Sequence, residues 1–147
     1  MSHISQIAIE VKDIDALEIA CRERGVELRR EQKTFRTFRG AQTKCDMAIV
    51  DPTNNRAYEI GVVLGKDGVY KLQTDEWQGG LGMNEKVGDR AGLLLQRYGL
   101  NVAKRQAAKQ GWAANEQRLP DGSIRLVCEP KQQYATAGAG GWGGSGY

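Results

Sequence analysis

One histidine, three prolines and three cysteines in 147 residues leave little material for the commonest kinds of chemistry. The histidine is His3, at a terminus expected to fray, and an imidazole that is not held in place makes a poor general base. Cys21, Cys45 and Cys128 are odd in number and far apart, with no C-x-x-C pair. A disulfide framework wants an even set and a zinc site wants paired ligands, so neither is expected. Cys21 and Cys128 fall on apolar faces, where a thiol behaves as a small hydrophobe. Reduced structural cysteines in a cytoplasmic protein are the expectation. No apolar run approaches the roughly 18 residues of a membrane span. The N-terminal MSHISQIAIEVKDID has no basic region ahead of an apolar core, so it is not read as a signal peptide.

The carboxylates are scattered. Asp13 and Asp15 read as helix-start residues, and Asp75 and Glu76 as loop residues. Gly79-Gly80-Leu81-Gly82 lacks the GK[ST] ending of a phosphate loop and reads as a hinge or turn. No catalytic residue, metal ligand or cofactor is expected, and the chain is not read as an enzyme.

What is present is ordinary globular composition, 40% hydrophobic and 27% charged, with a formal charge of +3. ISQIAIEV alternates with Ile7, Ile9 and Val11 on one side, a half-buried strand. Asp13 stands as N-cap before a helix carrying Ile14, Leu17 and Cys21, which Gly25 stops. Residues 26–40 look extended, CDMAIV is a short apolar strand, and AYEIGVVL with VYKLQ makes a hairpin. Tyr58, Ile60, Val62 and Leu64 share one of its faces. Val87, Ala91, Leu94, Tyr98 and Val102 form a helical stripe, with a break expected near Gly99. RLPDGSIRLVCEP reads as a closing hairpin with Ile124, Leu126 and Cys128 inward. The order β-α-β-β-β-β-α-β-β predicts an α+β domain: an antiparallel sheet with two helical segments packed on one face. One domain is expected over 1–130, followed by a glycine-rich tail, 131–147, too poor in apolar residues to fold alone.

The sharpest local feature is RREQKTFRTFRGAQTK. Arg29, Arg30, Lys33, Arg36, Arg39 and Lys44 face a single acid, Glu31, with Phe35 and Phe38 interleaved. Cations neutralise phosphates and aromatics stack on bases, so the segment 29–44 suits a single-stranded nucleic acid or another partner. The same charges would also serve on a solvated edge strand that discourages aggregation. Phe35 and Phe38 differ in parity, so a regular strand would point them to opposite faces, one of them toward the core. In the tail, Trp142 and Tyr147 are candidate anchors for a partner's pocket.

Several stretches in order, MSHISQI, FRGAQTKCDMAIV, YEIGVVLGKDGVYKLQTD, LLQRYGL and GWAANEQRLPDGSIRLV, resemble the hypothetical chloroplast reading frame thirty-five family. That family is also known as domain of unknown function twelve-fifty-seven. Where its members carry a V-R-G-Y-like piece, this chain has Phe35 to Gly40 without the tyrosine. The resemblance implies a plastid, cyanobacterial, bacterial or phage protein without an assigned activity. Some relatives are encoded near AAA-type ATPases. It therefore implies a small non-enzymatic binding or accessory protein, an adaptor to such an ATPase or a phage-encoded modifier of host machinery. The alternative is a nucleic-acid-binding module built on the segment 29–44.

Overall fold

The computed structural model describes residues 4–131. The described residues divide into two compact units, the first ending at Val102 and the second starting at Ala103.

The first unit is built on a five-stranded antiparallel sheet. Its strands are β1 (Ile4–Gln6), β2 (Glu27–Arg29), β5 (Met47–Val50), β6 (Ile60–Leu64) and β7 (Tyr70–Asp75), in the order β1-β7-β6-β5-β2. A short ribbon of β3 (Thr34–Arg36) and β4 (Gln42–Lys44) forms a separate two-stranded sheet. The helices of this unit are α1 (Ile14–Glu23), α2 (Met83–Val87) and the start of α3 (Gly92–Lys109). The predicted α+β class with an antiparallel sheet is what the chain adopts.

Strand alternation gives the sheet two different faces. Met47, Ile49, Ile60, Val62 and Leu72 join Leu17, Cys21, Val87 and Leu94 of the helices in the main core. Each such aliphatic side chain contributes roughly 1.5–3 kcal/mol by leaving water. The opposite face presents Ala48 and Val50, and Phe35 from the ribbon packs onto them in a second cluster.

Helix α1 begins and ends as its sequence dictates. The Asp13 side chain accepts from Ala16 N at 3.0 Å. At the other end Gly25 adopts φ 75°, while Val26 N donates to Cys21 O and Gly25 N to Arg22 O. That pair of bonds is the Schellman arrangement, which favours glycine at the left-handed position. Tyr98 of α3 pins the N-terminus of α1, its hydroxyl accepting from Lys12 N and Asp13 N.

Two local expectations need correction. The first strand does not continue through Ile9, which is 52% exposed. Ile7 N bonds Leu72 O and Val11 N bonds Tyr70 O. More chain lies between 7 and 11 than between 70 and 72, and the excess loops out with Ile9. Leu64 shares the face of Ile60 and Val62 in β6 and is 46% exposed where the strand meets its turn. The helical break falls at Gly88, not Gly99. Gly88 adopts φ 83°, ψ 167°, and a β-carbon there would stand 2.8 Å from Leu93 N. α3 passes through Gly99 without interruption.

The second unit holds the end of α3 and a hairpin of β8 (Trp112–Arg118) and β9 (Ile124–Pro130). At its turn Gly122 has φ 88°, and the Asp121 carboxylate accepts from Ser123 N and Oγ. Lys104 of α3 pairs with Glu116 of β8. No helix among the described residues is long and apolar enough to cross a membrane.

Candidate functional site: an aromatic and arginine cleft

Three loops of the first unit converge on an open cleft of about 520 Å³, within the roughly 300–1,000 Å³ usual for ligand sites. The tip of the β3–β4 ribbon supplies Phe38 and Arg39, the segment before β6 supplies Arg56 and Tyr58, and the turn after β7 supplies Trp77 and Leu81. Phe38 and Trp77 meet edge to face, their centroids 4.7 Å apart at 77°. Tyr58 and Trp77 are nearly parallel, 20° apart in plane with centroids 6.5 Å apart. The Arg39 guanidinium lies 5.1 Å from the centre of the Phe38 ring, a cation–π contact. Trp77 stays 36% exposed, whereas Tyr58 is buried. Burial and the nearby Asp75 charge push the Tyr58 hydroxyl above its ordinary pKa.

The backbone that presents these rings is strained. Gln78, Gly79, Gly80 and Leu81 have φ of 47°, 65°, 65° and 51° in succession, one turn of left-handed helix. Glycine takes this conformation freely, but a residue with a β-carbon loses roughly 1–2 kcal/mol there. Gln78 and Leu81 therefore carry the strain, and hydrogen bonds hold it in place. Gly80 O accepts from Tyr58 N at 2.9 Å, and Leu81 O from Asn54 Nδ2 at 3.2 Å. Arg39, at the tip of the ribbon, also has a left-handed φ of 57°. Backbone strain held by its surroundings is commonest at functional positions.

Two carboxylates brace the cleft from behind. Asp75 is buried, and its Oδ2 accepts from Phe38 N at 3.1 Å while its Oδ1 accepts from Trp77 N at 3.0 Å. It is the last residue of β7 and not the loop residue its sequence context suggested. Glu59 accepts from Arg36 N and Gln32 Nε2 and pairs with the Arg36 guanidinium. Glu76, expected beside Asp75 in a loop, accepts from Asn84 Nδ2 and Arg90 N and so ties the turn to α2.

The cations of the segment 29–44 separate into two groups. Arg29 pairs with Glu27, and Arg30 with Asp15 and Glu18. Lys33 Nζ donates to Arg30 O and Asp46 O. Arg36 donates to Ala57 O at 2.6 Å and Asn55 O at 2.9 Å, acting as a strut under the cleft. Arg39 and Lys44 remain exposed, and among the described residues neither has a carboxylate partner. Phe35 is wholly buried, so Phe38 is the ring of the pair that reaches the surface. Trp142 and Tyr147 lie outside the described residues, as does His3.

Tyr58, Trp77, Arg56 and Asp75 escaped the sequence reading. Tyr58 stood in a strand pattern that looked like plain core. Trp77 had one usable signal, a large aromatic two positions before a glycine cluster. The three cysteines are free thiols, and among the described residues no group of three His, Cys, Asp or Glu could hold a metal ion.

A family model described as "Protein of unknown function (DUF1257)" matches residues 20–127. No curated protein and no solved structure matches the chain.

Proposed function

We propose, for a chain that belongs to the DUF1257 family of proteins of unknown function, a non-enzymatic binding role with the aromatic and arginine cleft as its recognition site. The observation that carries the reading is the left-handed turn Gln78–Leu81, bonded to Tyr58 and Asn54 beside a Trp77 left 36% exposed. A fold that maintains strain to hold an indole at its surface fits recognition better than packing. The lining offers rings and guanidinium groups, which bind. Asp75, behind the rings, has both carboxylate oxygens occupied by backbone N–H groups. The accessory role implied by the sequence resemblance, with an AAA-type ATPase as the first partner to try, is compatible with such a site. Three free thiols suit the reducing cytoplasm.

The test is site-directed photo-crosslinking in the native host. A photoreactive phenylalanine derivative at Asn55, on the rim of the cleft, should give one defined adduct. The same group at Lys66, on the distant β6–β7 turn, should give none. Equal products from both positions, or none from the rim, would defeat the reading.

A further inference from the structure

We propose that the cleft binds single-stranded nucleic acid, seating one base against Trp77 and Phe38 and the flanking phosphates on Arg39 and Arg56. The inference rests on the cleft being the recognition site and names its ligand.

Charge is the first argument. The charged side chains lining the cleft are Arg36, Arg39 and Arg56, and no carboxylate is among them. Arg36 is committed to Glu59 and to two carbonyls. Arg39 and Arg56 are exposed, and among the described residues neither guanidinium has a carboxylate partner. Two uncompensated planar cations at the rim of an apolar cleft form a site for phosphate oxygens, which the guanidinium fork matches.

Ring geometry is the second. Trp77 packs edge to face with Phe38 and is held by Asp75 at its backbone, and it stays 36% exposed, so it meets a ligand already oriented. Every base has a π-face, and stacking on a fixed aromatic is the sequence-tolerant half of single-strand recognition. The third argument is openness. Trp77, Arg39 and Arg56 all reach solvent. A strand passing through leaves its neighbouring nucleotides outside, whereas a free nucleotide wants enclosure. The binding element is therefore not a basic strip along 29–44. It is one end of that segment, Phe38 and Arg39, completed by residues from two other loops.

The test is fluorescence anisotropy of a labelled twelve-nucleotide single strand at low salt, using the full chain. Binding should weaken with salt at a log–log slope of about 1.4, two contacts at about 0.7 each. Arg39→Asn removes one charge and keeps a residue that tolerates a left-handed φ. It should lower the slope by about 0.7, and adding Arg56→Gln should bring it near zero. Trp77→Ala should weaken binding about 5- to 160-fold, the effect of losing one base stack. Trp77→Phe should restore most of it. Thermal melting of each variant separates lost binding from lost fold, and the two exposed arginine changes decide the matter if Trp77→Ala does not fold. Absence of strand binding, a slope unchanged by both arginine substitutions, or displacement by a mononucleotide at the strand's own affinity overturns the proposal. Where strand binding is absent but the Asn55 photo-crosslink still captures a protein, the recognition cleft survives and its ligand is that protein.

Discussion

Phe35 sits so close to Gly61 that a β-carbon on residue 61 would stand 2.4 Å from the ring. The absence of a side chain at Gly61 lets the β3–β4 ribbon lie flat on the sheet, and the ribbon tip carries Phe38 and Arg39 into the cleft. Gly61→Ala must push the ring away. Overpacking of this kind costs roughly 1–3 kcal/mol, and Phe35→Ala should cost roughly 3–5 kcal/mol. Urea unfolding measures both. The double variant should lose less than the sum, because the methyl group then occupies space that the ring has vacated. Strict additivity would mean that the two residues do not touch.

Asp75 joins the two aromatic loops through one carboxylate. In Asp75→Asn one accepting oxygen is replaced by an NH2 group that can only donate, so a backbone N–H at Phe38 or Trp77 loses its partner. An unsatisfied buried donor costs roughly 1–3 kcal/mol. Stability should fall by that order, and the near-ultraviolet dichroism of the Phe38–Trp77 pair should weaken with it. A variant with full stability and an unchanged aromatic signal would remove Asp75 from its bracing role.

Asp51 gives the fold a pH dependence. Burial pushes its carboxyl up, but the Lys86 ammonium at 2.8 Å and the Thr53 hydroxyl and N–H outweigh burial and hold it below its ordinary value. A carboxyl lowered in the folded state stabilises the fold above its unfolded pKa of about 3.9, and that contribution disappears as pH falls through the lower folded value. Asp51→Asn should therefore be most destabilising near neutrality, and its deficit should shrink steadily below about pH 4. Paired urea titrations across that range check this. A deficit that grew toward acid would reverse the assignment.

The elements governed by local rules were legible in the sequence. The Asp13 cap, the Gly25 stop, the Gly65–Gly68 turn and the stripe from Val87 to Val102 each follow from residues within one or two turns of one another. The cleft was not legible, because nothing local distinguishes Tyr58 from its strand neighbours. What makes it a site residue is Trp77, nineteen positions on by the numbering, brought beside it by the β6–β7 hairpin. The segment 29–44 shows the same limit in reverse. Its cations looked like one strip, but Asp15, Glu18 and Glu59 lie outside the segment and reach it only through the fold.

Two of the three thiols, Cys21 and Cys45, should resist reagents while the chain is folded. Burial, helped by Glu18, pushes Cys21 up to about 12, and burial with Asp46 and Glu59 pushes Cys45 up to about 11. The thiolate is the nucleophile, so at pH 8 both are overwhelmingly in the unreactive form. Iodoacetamide should leave Cys21 and Cys45 unmodified in the folded protein and add to all three cysteines after denaturation, read by intact mass. Rapid native alkylation of Cys45 would show that the β4–β5 connection opens.

Gly99 and Gly88 separate two reasons for glycine in a helical sequence. At Gly88 the left-handed φ of 83° and the 2.8 Å approach of Leu93 N make a side chain intolerable, and the helix breaks there. At Gly99 the backbone is helical, the residue is exposed, and an added β-carbon would meet nothing within 4 Å. Glycine there only enlarges the unfolded ensemble, whose freedom must be lost on folding. Gly99→Ala should stabilise the protein by about 0.5–1 kcal/mol, whereas Gly88→Ala should destabilise it. Thermal melts of the two single variants read the signs directly. Destabilisation by Gly99→Ala would mean that α3 bends at residue 99 or is covered there by a surface that leaves no room for a methyl group.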